Sequence, residues 1–224
     1  MKTQSRIITQ LPGQVNQSAE LLFFPLAHGL DAAIADVLAV MPIGDANGLC
    51  LDQLALASPT ILKQVYAGLL TVDPLRDMCR VFQSLAELGV GGVCNLPSTA
   101  VFEGMFGRAM DSSDVSFRLE LEAFRDAFAS IDGRKLDTRI FCYSLAQGLM
   151  AIESGLRQIV LHPGDGIGKS GNYVTSISAS LNEMARQLKL AGAEQVLVYS
   201  HPTIKERLTL STEVIDGKVV FDGR

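Results

Sequence analysis

Charge is scarce in this chain of 224 residues: Asp, Glu, Lys and Arg together make up 19%, against 48% hydrophobic residues. So few charged side chains cannot solvate the outer faces of many helices, and part of the surface is expected to be shared with a second copy of the chain in a homo-oligomer. The net charge of -5 gives no general pull on nucleic acid or on an anionic membrane. An anionic ligand must therefore find its positive partners locally. Cys50, Cys79, Cys94 and Cys142 form no CxxC pair, which argues against a zinc site or a disulfide framework and for reduced thiols in the cytoplasm. No apolar run approaches the roughly twenty residues of a membrane span. The opening MKTQSRIITQLPG has no apolar core of the kind a signal peptide needs. No GxSxG elbow is present, which argues against a hydrolase triad.

What is present is a series of alternating strand and helix patterns. Gln64 to Pro97 shows the unit. The run QVYAGLLTVDP ends in Asp73 and Pro74, a helical pattern LRDMCRVFQSLAELG closes at Gly89, and the run VGGVCNLP ends in Asn95 and Pro97. Strand, helix, strand at this spacing makes a right-handed parallel crossover. Further strands are predicted at 139–144, 157–162 and 195–200, with one or two before residue 45 and one near 218–221. Helices are predicted over 31–40, 49–62, 117–129, 145–154 and 174–190. Residues 1–20 are polar and read as an N-terminal arm, with 21–224 as the barrel-like domain. Pro25 in LLFFPLA demotes that run from a central strand. Residues 97–116 read as a long loop with exposed Phe102 and Phe106. The tail EVIDGKVVFDGR reads as a hairpin around Asp216-Gly217. The class is α/β. A TIM (βα) barrel near the lower size limit, complete or missing an element, is the leading reading, and an open doubly wound sheet is the alternative.

In both architectures ligands sit beyond the C-terminal ends of the strands, so polar residues there are the candidate site. Asp73 suits a metal or a substrate hydroxyl, or else caps the helix starting near Leu75. Arg76 faces the ligand or pairs with Asp77. Asp45 and Asn47, in VMPIGDANG, bind a ligand or form a turn. Asn95 ends its strand. His162 and His201 are two of only 3 histidines, and both end predicted strands, which suits acid/base work. Tyr143 offers a hydroxyl to the same mouth. The loop GDGIGKSG, with Gly164, Gly166, Gly168 and Lys169, is one residue short of a P-loop and lacks the later acid of a dinucleotide site. Backbone N–H groups, a helix N-terminus and Lys169 still suit an anion.

Three stretches together resemble a known family. PIGDAN (42–47), TVDPLRDM (71–78) and GVGGVCNLPSTAVFEGMF (89–106) look like the phosphoenolpyruvate hydrolase-like family, also called TIM-barrel signal transduction proteins. The usual forms are P-x-GDAN, TDPFRDM and GVQNFPTVGLIDG. IVLHPG and VLVYSHPTI resemble its later strands ending in AHMG and HGGPI. Where the family has Gln before Asn this chain has Cys94, and Pro202 and Thr203 replace a glycine pair. The resemblance covers about residues 38–204. It implies a TIM barrel acting on a small phosphorylated or α-keto acid by lyase- or hydrolase-type cleavage, with Mg²⁺ held by Asp73 and Asp45. Asp73, His162 and His201 would be catalytic. Asp45, Asn47 and Asn95 match motif positions and would bind the ligand, whose anionic end would dock at the glycine loop and Arg76 on the reading of those residues themselves. The rival expectation is a non-catalytic ligand sensor on the same scaffold.

Overall fold

The computed structural model describes residues 3–13, 20–41, 44–102, 104–131, 136–164, 171–200 and 208–222. Among them, eight strands form one closed barrel: β1 (Thr3–Ile8), β2 (Glu20–Phe23), β3 (Val65–Gly68), β4 (Gly92–Cys94), β5 (Asp137–Cys142), β6 (Gln158–Leu161), β7 (Gln195–Ser200) and β8 (Gly217–Asp222). Each pairs in parallel with its sequence neighbour, and β8 returns to β1. This is a TIM barrel, complete within one chain; the open-sheet alternative fails because no edge is left. The helices are α1 (Ala32–Val40), α2 (Ala46–Ala55), α3 (Pro59–Leu62), α4 (Met78–Leu88), α5 (Gly104–Asp111), α6 (Phe117–Ser130), α7 (Leu145–Glu153) and α8 (Gly171–Leu190). No described helix is long and apolar enough to cross a membrane.

Strand alternation sorts the core into two clusters. On β7, Val196 and Val198 pack outward under the helices while Leu197 and Tyr199 fill the barrel. On β5, Ile140 and Cys142 point out and Phe141 points in. Burial on both faces explains the near-continuous apolar runs. Helix α4 shows the outer packing. Asp77 caps it, accepting from the Cys79 and Arg80 amides at 3.0 and 3.4 Å, and Gly89 at φ 79° ends it. Its buried face, Met78, Val81, Phe82 and Leu85, meets α6, where the Phe82 ring stands edge-on to Phe124 at 5.4 Å. Helix α1 differs. Its Ala35 and Ala39 join the inner cluster, so it packs across the C-terminal mouth of the barrel.

Three sequence readings are corrected. The supposed arm at residues 1–20 supplies β1, paired with both β2 and β8. Pro25 does not exclude the preceding run from the barrel, because β2 stops at Phe23 and Pro25 starts a 3-10 turn. The terminal hairpin is instead β8, parallel to both neighbours; Asp216 anchors its start by accepting the Val196 amide at 2.8 Å. In addition, the long loop after β4 contains α5.

The N-terminal end of the barrel is filled by a polar network. The Arg139 side chain, 3% exposed, donates to Glu20 at 2.6 Å and to Asp137 at 3.2 Å, and lies 4.6 Å from the Tyr66 ring centroid. Tyr66 donates to Asp137 at 2.7 Å, and Ser5 to Glu20 at 2.7 Å. In TIM barrels the N-terminal face serves stability and active sites lie at the opposite, C-terminal rim.

Candidate active site at the C-terminal rim

The parallel strands place Asp73, Asn95 and His162, each following its strand, at the same rim. The chain leaves β3 at Gly68, where a Cβ would sit 2.5 Å from the Leu96 carbonyl oxygen and 2.6 Å from that of Phe23. Backbone lies on both sides, so no side chain fits. Beyond it, Asn47 clamps the chain. Its amide donates to the Leu70 carbonyl at 2.9 Å, and its own oxygen accepts the Leu70 N–H at 2.9 Å. The same amide donates to Asp73 Oδ2 at 2.9 Å. Asp73 Oδ1 accepts the Leu75 N–H at 2.8 Å, closing the turn at Pro74. Asp77, not Asp73, caps the following helix.

Arg76 joins this corner to the start of α2. Its Nη2 donates to Asp45 Oδ2, and its Nε lies 3.6 Å from Asp73 Oδ2. Asp45 also caps α2 by accepting the Gly48 amide at 2.7 Å. Gly48 is needed for this closure, since a Cβ there would collide with the Asp45 carboxylate and the Arg76 guanidinium. The Arg76 hydrogen bond, then the Gly48 amide, hold the Asp45 carboxyl below its usual range. Arg76 is pushed up by the same bond. The side chains of Asp73, Arg76 and Asp45 are 13%, 31% and 58% exposed, so the corner opens outward through Asp45.

These residues form the polar end of a cavity of about 930 Å³. Asp45, Asn47, Asp73 and Arg76 line it together with Val40, Met41, Val72, Leu75, Phe106 and Met110. The volume lies near the top of the range for small-molecule sites, roughly 300–1,000 Å³. The Mg²⁺ expected from the resemblance does not fit the corner as it stands. The Arg76 guanidinium bridges Asp45 and Asp73, where an ion sharing them would sit, and all four carboxylate oxygens accept from nitrogen donors. The described residues contain no cluster of three or more potential metal ligands.

The other expected site residues lie apart from this cavity's described lining. Asn95, fully buried, joins β4 to β5: its oxygen accepts the Phe141 N–H at 2.7 Å and its amide donates to the Phe141 carbonyl at 3.2 Å. The amide also reaches Glu120 at 3.1 Å. Glu120 went unnoticed in the sequence. It is 0% exposed and accepts from the Ser98 hydroxyl at 2.7 Å, the Thr99 hydroxyl at 2.6 Å and the Thr99 amide. Burial raises its pKa, opposed by these hydrogen bonds. His162, 4% exposed, is stacked between Tyr143 at 4.3 Å and Tyr199 at 4.5 Å, and its Nδ1 accepts the Gly164 N–H at 3.0 Å. An accepting Nδ1 places the proton of a neutral ring on Nε2. Gly164, at φ 73°, supplies that amide. His201, Gly166, Gly168 and Lys169 lie outside the described residues.

Comparison with known proteins agrees with the motif reading. The "ToMV resistance protein Tm-1(GCR237)" of Solanum lycopersicum is 27% identical over 145 residues, covering 64% of this chain and 18% of the relative. This chain thus spans less than a fifth of the tomato protein. "Uncharacterized protein y4oT" of Sinorhizobium fredii (strain NBRC 101917 / NGR234) is 28% identical over 145 residues, 65% of this chain and 72% of the relative. Among solved structures, "Native KDPGal structure" overlaps 98% of this chain and 82% of its own at 13% identity and a TM-score of 0.36. The model of the family described as "Phosphoenolpyruvate hydrolase-like" matches residues 30–202, which include both halves of the polar corner, and the chain belongs to that family.

Proposed function

We propose that the chain binds a small α-oxo acid in the cavity between α2 and the turn after β3, and cleaves it in a lyase- or hydrolase-type reaction. The observation that carries this reading is the meeting of two separate family segments, GDAN and DPLRD, in one polar corner through Asp45, Arg76, Asp73 and Asn47. Arg76 has N–H donors beyond those directed at Asp45 and Asp73. They suit the planar carboxylate of an oxo acid, with the guanidinium held in place by its two aspartates. Asp45, kept ionised by Arg76, accepts a hydrogen bond from a hydroxyl or water on the ligand. One cation faces two carboxylates here. The corner therefore tolerates a singly charged acid better than a doubly charged phosphate, which favours the oxo acid over the phosphorylated alternative. A divalent ion has no step in this reading.

The test is calorimetric titration with pyruvate, oxaloacetate and phosphoenolpyruvate, with and without Mg²⁺, on the native chain and on Arg76→Gln. Loss of a charge-assisted hydrogen bond predicts weakening of roughly 10- to 100-fold for the oxo acids. Equal affinity in Arg76→Gln, or no oxo-acid binding to the native chain, refutes the reading. A second reading, a non-catalytic sensor of the same ligand, is favoured by one observation: no histidine is among the described residues lining the cavity. A depressed carboxylate such as Asp45 is a weak base. Binding without turnover, followed by NMR of the ligand, selects the sensor.

A further inference from the structure

From the cavity's division into one polar corner and a long apolar wall, we infer that its ligand is an oxo acid carrying an extended apolar substituent. This rests on the oxo-acid reading above and adds what the rest of the molecule must look like. All the charged groups of the described lining, Asp45, Asp73 and Arg76, belong to one hydrogen-bonded cluster. The rest of the wall is mainly aliphatic, sulfur-bearing or aromatic: Val40, Met41, Val72, Leu75, Phe106 and Met110. A three-carbon acid held at Arg76 fills a small part of about 930 Å³ and leaves this wall in water.

The exposure of the wall is an independent sign. Leu75 is 90% exposed, Phe106 51% and Met41 38%, and all three border the same cavity. Large apolar side chains gathered around one concavity mark a surface to be covered. Helix α5 has no buried residue, yet it turns Phe106 and Met110 toward the cavity, and the Phe106 ring is braced edge-on against Phe102 at 4.8 Å. A tail running from the corner along Val72 and Leu75 to Phe106 removes apolar area from both partners. Among the described residues, the side chains of Val40, Met41, Val72, Leu75, Phe106 and Met110 offer no N–H or O–H donor to read a polar tail. Specificity in this part of the site is therefore for length and bulk.

The experiment is a calorimetric series: pyruvate, 2-oxobutanoate, 2-oxopentanoate, 2-oxohexanoate and 2-oxooctanoate, with the matching straight-chain alcohols as controls lacking the acid head. Burial of each methylene tightens binding about fourfold, the equivalent of about 0.8 kcal/mol, until the wall is covered. Phe106→Ser, at an exposed position, flattens that slope for the longer members. A Kd that does not fall with chain length, while pyruvate still binds, overturns the tail inference and leaves the oxo-acid reading standing. Alcohols that follow the slope while the oxo acids gain nothing over them uphold the apolar wall and overturn the acid corner. Absence of binding by every member overturns both.

Discussion

Replacing Asn47 by alanine tests how the polar corner is held together. Asn47 is 1% exposed and makes three hydrogen bonds of 2.9 Å: two close on the backbone of Leu70, and the third orients Asp73. Truncation leaves the Leu70 N–H and C=O without these partners and removes a donor from Asp73. A buried group left unpaired costs about 1–3 kcal/mol. Leu70 is half-buried and borders the cavity, so water reaches part of it and the lower end applies to each group. The sum is a loss of roughly 2–4 kcal/mol, which for a chain of this size lowers Tm by roughly 4–16 °C. Urea unfolding followed by circular dichroism measures the loss directly, with an unchanged m-value as the sign that only stability has moved. Asn47→Asp is expected to be worse for ligand binding than for folding, since it sets a second carboxylate against Asp73. A loss below about 0.5 kcal/mol in Asn47→Ala, the range of ordinary surface substitutions, would refute the clamp.

Other consequences follow from buried charges and thiols. Glu120→Ala removes the acceptor of the Thr99 amide and of the Ser98 and Thr99 hydroxyls and should cost roughly 2–4 kcal/mol in urea unfolding. Because burial raises the Glu120 pKa in the fold, protonation favours the folded state. Its contribution is therefore lost as pH rises from about the ordinary value of 4.5 through the raised one, and Glu120→Gln should flatten that part of the stability profile. Arg139→Met leaves Glu20 and Asp137 without their cation; as both are part-exposed, the loss should be about 3 kcal/mol, partly recovered when Glu20→Gln is added. Cys50, Cys94 and Cys142 are buried, with burial pushing the Cys50 thiol up to about 12 and the other two up as well. A disulfide reagent should therefore modify Cys79 in the native protein and the other three only on unfolding, and rapid native reaction of all four would contradict the packing.

The sequence was most readable where strands are apolar on both faces. The strands near 65–72, 90–95, 139–144, 157–162 and 195–200 correspond to β3 to β7, though the ladder itself is shorter in the first two. The remaining strands were obscured by chemistry that only the closed barrel explains. Ser5 and Glu20 look like solvent-facing residues, yet they project toward Arg139 at the barrel's end. Asp216-Gly217 has the composition of a hairpin turn; which strand pairs with β8 depends on β1, at the other end of the chain. Helix α5 is short, has no buried residue and contains two glycines, Gly104 and Gly107, which weaken a helical pattern. At the site, the motifs brought Asp45, Asn47, Asp73 and Arg76 into view, while their hydrogen-bond partners were not readable. Asp77 competes with Asp73 as a cap, and only geometry decides between them. Glu120 did leave a signal: it falls on the helical face of Phe117, Leu121 and Phe124, where an acid is out of place unless paired.

Methionine-methyl NMR gives the most direct test, because Met41 borders this cavity, Met110 borders both it and the neighbouring pocket near α6 and α7, Met150 borders only that second pocket, and Met184 packs under the outer helices. Titrating 2-oxohexanoate should shift the Met41 and Met110 methyl resonances in a saturable manner, leave Met184 and Met150 unmoved, and lose the effect in Arg76→Gln. Saturable shifts confined to Met150 or Met184, with Met41 and Met110 silent, would place the ligand elsewhere and contradict the account.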